Sequence, residues 1–288
     1  MVTNPFNRAQ VSRISLRPED VDAIVFWSRN PRPLMTFLPE LDERGFKYYF
    51  QFTIMNNPRI LDTNGPSIDS SVRTFQKLSA QLGDSHRVIW RYDPIVLSSV
   101  TPVDFHLETY KSIAERLRGY STRSVISIVD EYSKIKKRMR EITNSGIQLA
   151  SEPEKHPNFE ALIRGIKEIA TENGLAVQSC AEEIDLRPFG VPPGKCVDND
   201  YLRQIFGLEV TAKKDKGQRD ACGCVQSRDI GMYDSCLFGC AYCYATTSFD
   251  TARSNYEAHD PESPSLIGYH DVPPSGDDSA PDQQLKLF

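Results

Sequence analysis

The first 179 residues of this chain contain no cysteine, and nowhere is there an apolar run close to the roughly 20 residues a membrane helix requires. The start, Met1-Val2-Thr3-Asn4-Pro5, is polar and broken by proline, so it lacks the apolar stretch of a secretory leader. These absences predict a cytoplasmic protein with no membrane contact. Cysteine is also scarce in number: seven in 288 residues. An odd count in a chain of this length argues against a disulfide framework, which belongs to small secreted domains. The thiols are therefore read as free for metal.

An excess of positive charge is missing too. The net charge of −5 seems to exclude nucleic acid, but it is unevenly placed. From Ala258 onward six acids face one base, Lys286, so residues 1–257 are close to neutral. Two local basic stretches remain, Lys134–Arg140 and Lys213–Lys216 with Arg219. Both read as solvated faces.

Residues 20–182 alternate between two periodicities. Ala23–Trp27, Tyr48–Ile54, Val88–Asp93, Ser124–Val129 and Leu175–Cys180 are short β-branched or aromatic runs that read as buried strands. Helical patterns lie between them. Val72, Phe75, Leu78 and Leu82 share a face that stops at Gly83. Phe105, Ile113 and Leu117 form a second face after Pro102, and Phe159, Leu162, Ile163, Ile166 and Ile169 a third, closed by Gly174. Strand–helix alternation five times over predicts a parallel sheet with helices outside it, in a TIM-barrel-like α/β architecture. Residues 1–183 would supply the barrel units. Residues 184–259 would form a cysteine-rich metal-binding segment that completes the barrel, and 260–288 a disordered tail.

A strand buried on both sides is normally apolar throughout. Here Gln51 and Thr53, then Arg91 and Asp93, then Gln178, Cys180 and Glu182 make one face polar toward the strands' C-terminal ends, where parallel barrels place their active sites. Gln51, Thr53, Arg91, Asp93 and Glu182 are thus the candidate lumen residues for cofactor or substrate. For any one of them a structural role, such as an Arg91–Asp93 ion pair or a buried Gln51 hydrogen bond, is the competing reading.

The cysteines divide into three and four. Cys236-Leu-Phe-Gly-Cys240-Ala-Tyr-Cys243 can bend three sulfurs around one centre. A closed structural zinc site takes four ligands, whereas three thiolates on a cubane iron–sulfur cluster leave one iron open. Cys180, Cys196, Cys222 and Cys224 would saturate zinc or a second cluster, or pack as small hydrophobes.

Cys236-x3-Cys240-x2-Cys243, with Tyr242 and Tyr244 around the last ligand, resembles the signature of the radical S-adenosylmethionine enzymes, and its Cys-x-Tyr-Cys-Tyr-Ala form is similar to the spore photoproduct lyase branch. Asn4–Asn7, Phe26–Pro31, Trp90–Pro94 and the terminal segment resemble a bacterial family of domains of unknown function, number 1848. The first resemblance implies a 4Fe–4S cluster on Cys236, Cys240 and Cys243. Its fourth iron would take S-adenosylmethionine, Tyr242 would lie near the adenine, and a reductase or flavodoxin-type donor would supply the electron. In most such barrels the motif follows the first strand. Here it comes last, which implies a circularly permuted, incomplete barrel with Ile230–Tyr233 as the opening strand and a helix after Tyr244. The second resemblance implies a missing piece, an additional strand that relatives carry ahead of the Asn4–Asn7 segment, and so a shortened chain with an imperfect barrel.

The last residues, Gln284-Leu-Lys-Leu-Phe288, resemble the peptide by which bacterial polymerases and repair proteins attach to the sliding clamp. An extended tail would offer two leucines and a phenylalanine to an apolar groove. The reading drawn from the sequence is a radical enzyme of DNA repair or nucleic-acid modification. The alternatives are a non-catalytic iron–sulfur or zinc protein of DNA maintenance, and a radical enzyme acting on a peptide or small molecule.

Overall fold

A computed structural model describes residues 1–4, 7–130 and 135–270. Five of its strands are the five runs read above: β3 (Ile24–Ser28), β4 (Tyr48–Thr53), β5 (Val88–Ile95), β6 (Arg123–Ile128) and β7 (Ala176–Cys180). A two-residue strand, β8 (Pro193–Gly194), joins them, and all six pair in parallel in the order β3-β4-β5-β6-β7-β8. The opening segment pairs with itself instead: β1 (Val2–Asn4) and β2 (Asn7–Ser12) form a separate antiparallel pair.

Eight α-helices lie among the described residues: α1 (Arg32–Met35), α2 (Leu38–Glu43), α3 (Ile68–Leu82), α4 (Val103–Leu117), α5 (Lys136–Asn144), α6 (Phe159–Glu172), α7 (Asn199–Phe206) and α8 (Phe249–Glu257). Local chemistry sets their ends. Ser67 Oγ accepts from the Ser70 N–H at the start of α3, and Gly83, with φ 68°, turns the chain out of it. Asp198 Oδ1 accepts from the Asp200 and Tyr201 N–H groups at 3.0 and 3.2 Å, and Gly207 ends α7 the same way.

The alternation along the strands separates two buried layers. Tyr48, Phe50 and Phe52 of β4, Val88, Trp90 and Tyr92 of β5, and Ile126 of β6 pack against Val72, Phe75 and Leu78 of α3, Tyr110 and Ile113 of α4 and Leu162 and Ile166 of α6. On the other face Tyr49, Ile89 and Val125 are covered by Tyr201 and Leu202 of α7. With parallel strands, all C-terminal ends share one edge of the sheet, and the residues discussed below gather there.

Ile230–Tyr233 carries no strand. Glycine within the run and three polar residues before it leave too little apolar surface to bury a strand. The helix expected after Tyr244 is present as α8, beginning at Phe249. Residues 260–270 form turns and bends, and the Met1 amino group donates to Pro264 O at 2.6 Å, so this part of the expected tail lies against the chain's start. The clamp-like peptide Gln284–Phe288 lies outside the described residues. Among the described residues no helix is long and apolar enough to cross a membrane.

Candidate metal centre

The three-cysteine loop is clamped to the C-terminal edge of the sheet. From the turn after β4, Asp62 forms a bridge with Cys240, the Ala241 N–H donates to Leu61 O at 2.9 Å, and the Asn64 N–H donates to Phe238 O at 2.8 Å. Asn64 Nδ2 donates to Leu237 O at 3.1 Å. Gly239, at φ 69°, makes the bend between the first two cysteines, a conformation that disfavours any side chain.

Arginines hold the loop from both sides. Arg29, just past the end of β3, donates from Nη1 to Cys240 Sγ at 2.9 Å and from Nη2 to Asp62 Oδ2 at 2.9 Å. Asp62 in turn accepts from the Tyr242 hydroxyl at 2.6 Å, and Asn57 Nδ2 donates to that hydroxyl at 3.2 Å. From α5, Arg138 donates to Ala241 O at 2.9 Å, to Thr246 O at 2.7 Å and to Cys243 O.

Within the loop Cys240 is buried, Cys243 half-buried and Cys236 exposed. Burial pushes the Cys240 thiol up to about 12, opposed by the Arg29 charge, with Asp62 and Cys243 adding to the rise. Burial also raises Cys236, and Cys243 is near enough to add to it. Two buried polar atoms lack partners here, Arg29 Nε and Asn57 Oδ1. They stand beside a recess of ≈ 170 Å³ lined by Arg29, Asn57, Arg59, Asp62, Gly65 and Ser67, among others.

The four other cysteines gather separately. Cys180 ends β7, Cys196 follows β8, and Cys222 and Cys224 arrive from the polar loop; Cys196, Cys222 and Cys224 are buried and Cys180 packs against them. Cys180 Sγ lies 3.0 Å from Cys196 Sγ. Among the described residues no three His, Cys, Asp or Glu side chains are already spaced around a metal ion. These thiols are instead collapsed against one another.

The candidate lumen residues divide in role. Gln51 is fully buried, and its Nε2 donates to Cys196 O at 3.2 Å while its Oε1 accepts from Arg91 Nη1 at 3.4 Å. Arg91 also donates to Cys196 Sγ at 2.8 Å and forms an ion pair with Asp93, whose carboxylate accepts from Ser127 as well. Thr53 is half-buried at the end of β4, in register with Arg91. Glu182 Oε1 accepts from the Ile128 N–H at 2.8 Å; burial raises its carboxyl to about 8, with Asp130, Asp93 and Cys180 adding to the shift. Gln51, Arg91, Asp93 and Glu182 thus adjoin the four-cysteine group, and the three-cysteine loop lies across the edge from them. Tyr244 links the two, close enough to feel the charges of Cys243, Arg91 and Asp93.

The sequence reading missed Arg29, Asp62 and Arg138. Arg138 belongs to the basic stretch taken as a solvated face, yet its guanidinium is spent on the loop's carbonyls. The available signal for Arg29 was its place directly after a strand, at the edge where barrels put their chemistry.

The family model for a domain of unknown function (DUF1848) matches residues 1–245. The chain belongs to that family. The match takes in all six parallel strands and both cysteine groups. No curated protein matches the chain.

Proposed function

We propose that this DUF1848 protein is a radical S-adenosylmethionine-type iron–sulfur enzyme, with its cluster on Cys236, Cys240 and Cys243. The observation that carries the reading is the clamped loop: three thiols on one turn, pinned by Arg29, Asp62 and Arg138 at the C-terminal edge of a parallel sheet. The donor set fits a 4Fe–4S cluster with one open iron, because the loop provides three sulfurs and Arg29 supplies positive charge to Cys240. When bound, such a cluster supplies the electron that cleaves the sulfonium of S-adenosylmethionine and starts radical chemistry.

The chain's own groups do the rest. Arg29 and Asp62 fix the orientation of Cys240 and Tyr242. The unpartnered Asn57 Oδ1 and Arg29 Nε offer an acceptor and a donor beside the recess, suited to the amino and carboxylate groups of an amino-acid cofactor. Burial raises the Glu182 carboxyl to about 8, which suits it to hold or pass a proton beside Asp93. The sequential strand order suits the wall of an incomplete, permuted barrel, with residues 184–259 lying over its edge. A role on nucleic acid rests on the likeness of Gln284–Phe288 to clamp-binding peptides, and an external reductase or flavodoxin-type donor would supply the electron.

A second reading, a non-catalytic metalloprotein, is favoured by two observations: Gln51 and Arg91 spend their hydrogen bonds on the Cys196 segment, and the recess is smaller than the roughly 300–1,000 Å³ of most small-molecule sites. Anaerobic reconstitution separates the cluster assignment from its rivals. Iron and sulfide should load to a paramagnetic cubane on reduction, and replacing Cys236, Cys240 and Cys243 together by alanine should remove it. A triple variant with an intact cubane would refute the ligand set.

A further inference from the structure

The four remaining cysteines come from three separated stretches of chain, and nothing in the cluster reading uses them. Parallel pairing of β7 with β8 puts Cys180 opposite Gly194, so that Cys196 follows beside it. The polar loop then returns, held by the Val225 N–H donating to Val197 O at 3.0 Å. Gly223 lies close against the β8 segment there: a Cβ on it would stand 3.3 Å from Lys195 Cγ and 3.5 Å from Gly194 O.

An ordinary core cysteine packs among apolar groups. These do not. The Cys196 and Val197 N–H groups donate to Cys224 Sγ at 3.2 and 3.3 Å, and Arg91 Nη1 donates to Cys196 Sγ at 2.8 Å. Backbone N–H groups and a guanidinium aimed at sulfur are the surroundings of a thiolate, and they orient and steady metal-bound thiolates. Tyr49 and Gln51 fix the same segment through Cys196 O, at 2.5 and 3.2 Å.

One sulfur–sulfur distance bears on the metal. Four sulfurs about 2.3 Å from one tetrahedral ion lie about 3.7 Å from each other. The Cys180–Cys196 separation of 3.0 Å needs an opening of under about 1 Å to reach that value. A cubane gives each thiolate its own iron and demands sulfurs spread far wider. Four thiolates leave no position for water, so the site is closed.

We propose that Cys180, Cys196, Cys222 and Cys224 hold a single zinc ion in a structural tetrahedral site, independent of the cluster on the other three cysteines. The ion would tie the polar loop to the end of β7 and fix Arg91 against Asp93. Four thiolates on a divalent ion carry a net charge of −2, and the Arg91 guanidinium, shared with Asp93, lies against it.

The test uses the full-length chain purified without oxygen. Wild-type protein and the Cys236/Cys240/Cys243→Ala variant should each keep one zinc per chain through gel filtration with a weak chelator. Cys222→Ser should lose at least nine-tenths of it. Should that variant fail to fold, the wild-type chain loaded with cobalt(II) decides the matter: a tetrathiolate site gives intense sulfur-to-cobalt absorption with tetrahedral d–d bands. Iron and sulfide at these cysteines, a Cys180–Cys196 disulfide in the anaerobic protein, or a cobalt spectrum lacking four thiolates would each overturn the proposal.

Discussion

Arg29 Nη1 donates to Cys240 Sγ at 2.9 Å across 211 positions of sequence, and the same guanidinium pairs with Asp62 at 2.9 Å. This one side chain joins the end of β3, the turn after β4 and the three-cysteine loop. Removing one partner of a buried ion pair strands the other's charge. Arg29→Met should therefore cost about 3–5 kcal/mol of stability. Adding Asp62→Asn should cost less than the two single changes together, which a double-mutant cycle by chemical denaturation would show.

Arg138 is the second clamp, and its guanidinium spans the carbonyls of Ala241, Cys243 and Thr246. Arg138→Ala should loosen the loop by on the order of 2 kcal/mol, since hydrogen bonds from charged donors contribute more than neutral ones. Protease sensitivity between residues 236 and 248 should rise and iron loading should fall. Lys137→Ala, one residue away and exposed, should change neither.

His106 gives the fold a pH dependence. Val96 O can only accept, so Nε2 donates to it at 3.1 Å, and Nδ1 accepts from the Tyr92 hydroxyl at 2.8 Å. The ring is therefore neutral, and burial lowers its pKa from 6.5 to about 4, opposed by the bond to Val96. A base with a depressed folded pKa contributes stability that is present above the unfolded value and is lost as pH falls from 6.5 toward 4. Between pH 7 and pH 5 this amounts to about 2 kcal/mol. Denaturant titrations at both pH values should show the loss in wild-type protein, and His106→Gln should show correspondingly less.

The strands and the three long outer helices were legible because their cause is local. Alternation in Tyr48–Thr53 and Val88–Asp93 sorted the two buried layers, and Gly83 ends a helix where the sequence places it. What escaped depends on distant contacts. Pro193–Gly194 pairs as a strand only because β7 lies beside it, and no two-residue run advertises that. Arg138 read as part of a solvated face, and Arg29 and Asp62 carried no pattern of their own, since burial by a loop more than a hundred residues away leaves no periodic trace. On the polar face of the strands, Gln51 and Arg91 are turned to the Cys196 segment, a long-range contact that alternation alone does not show.

The terminal peptide carries the nucleic-acid half of the account. A synthetic peptide of the last ten residues should bind the bacterial sliding clamp weakly, on the order of micromolar. Replacing Leu287 and Phe288 by alanine should abolish binding, because each buried apolar side chain contributes roughly 1.5–3 kcal/mol. Lys286→Ala should matter little. Binding that survives the double change would remove the support for recruitment to DNA.

Cleavage of S-adenosylmethionine tests the central claim most directly. Anaerobically reconstituted, reduced protein should produce 5′-deoxyadenosine and methionine in equal amounts, slowly and without added substrate, and the Cys236/Cys240/Cys243→Ala variant should produce neither. Fully loaded, reduced protein that neither binds nor cleaves S-adenosylmethionine would contradict the account and leave the chain a structural metalloprotein.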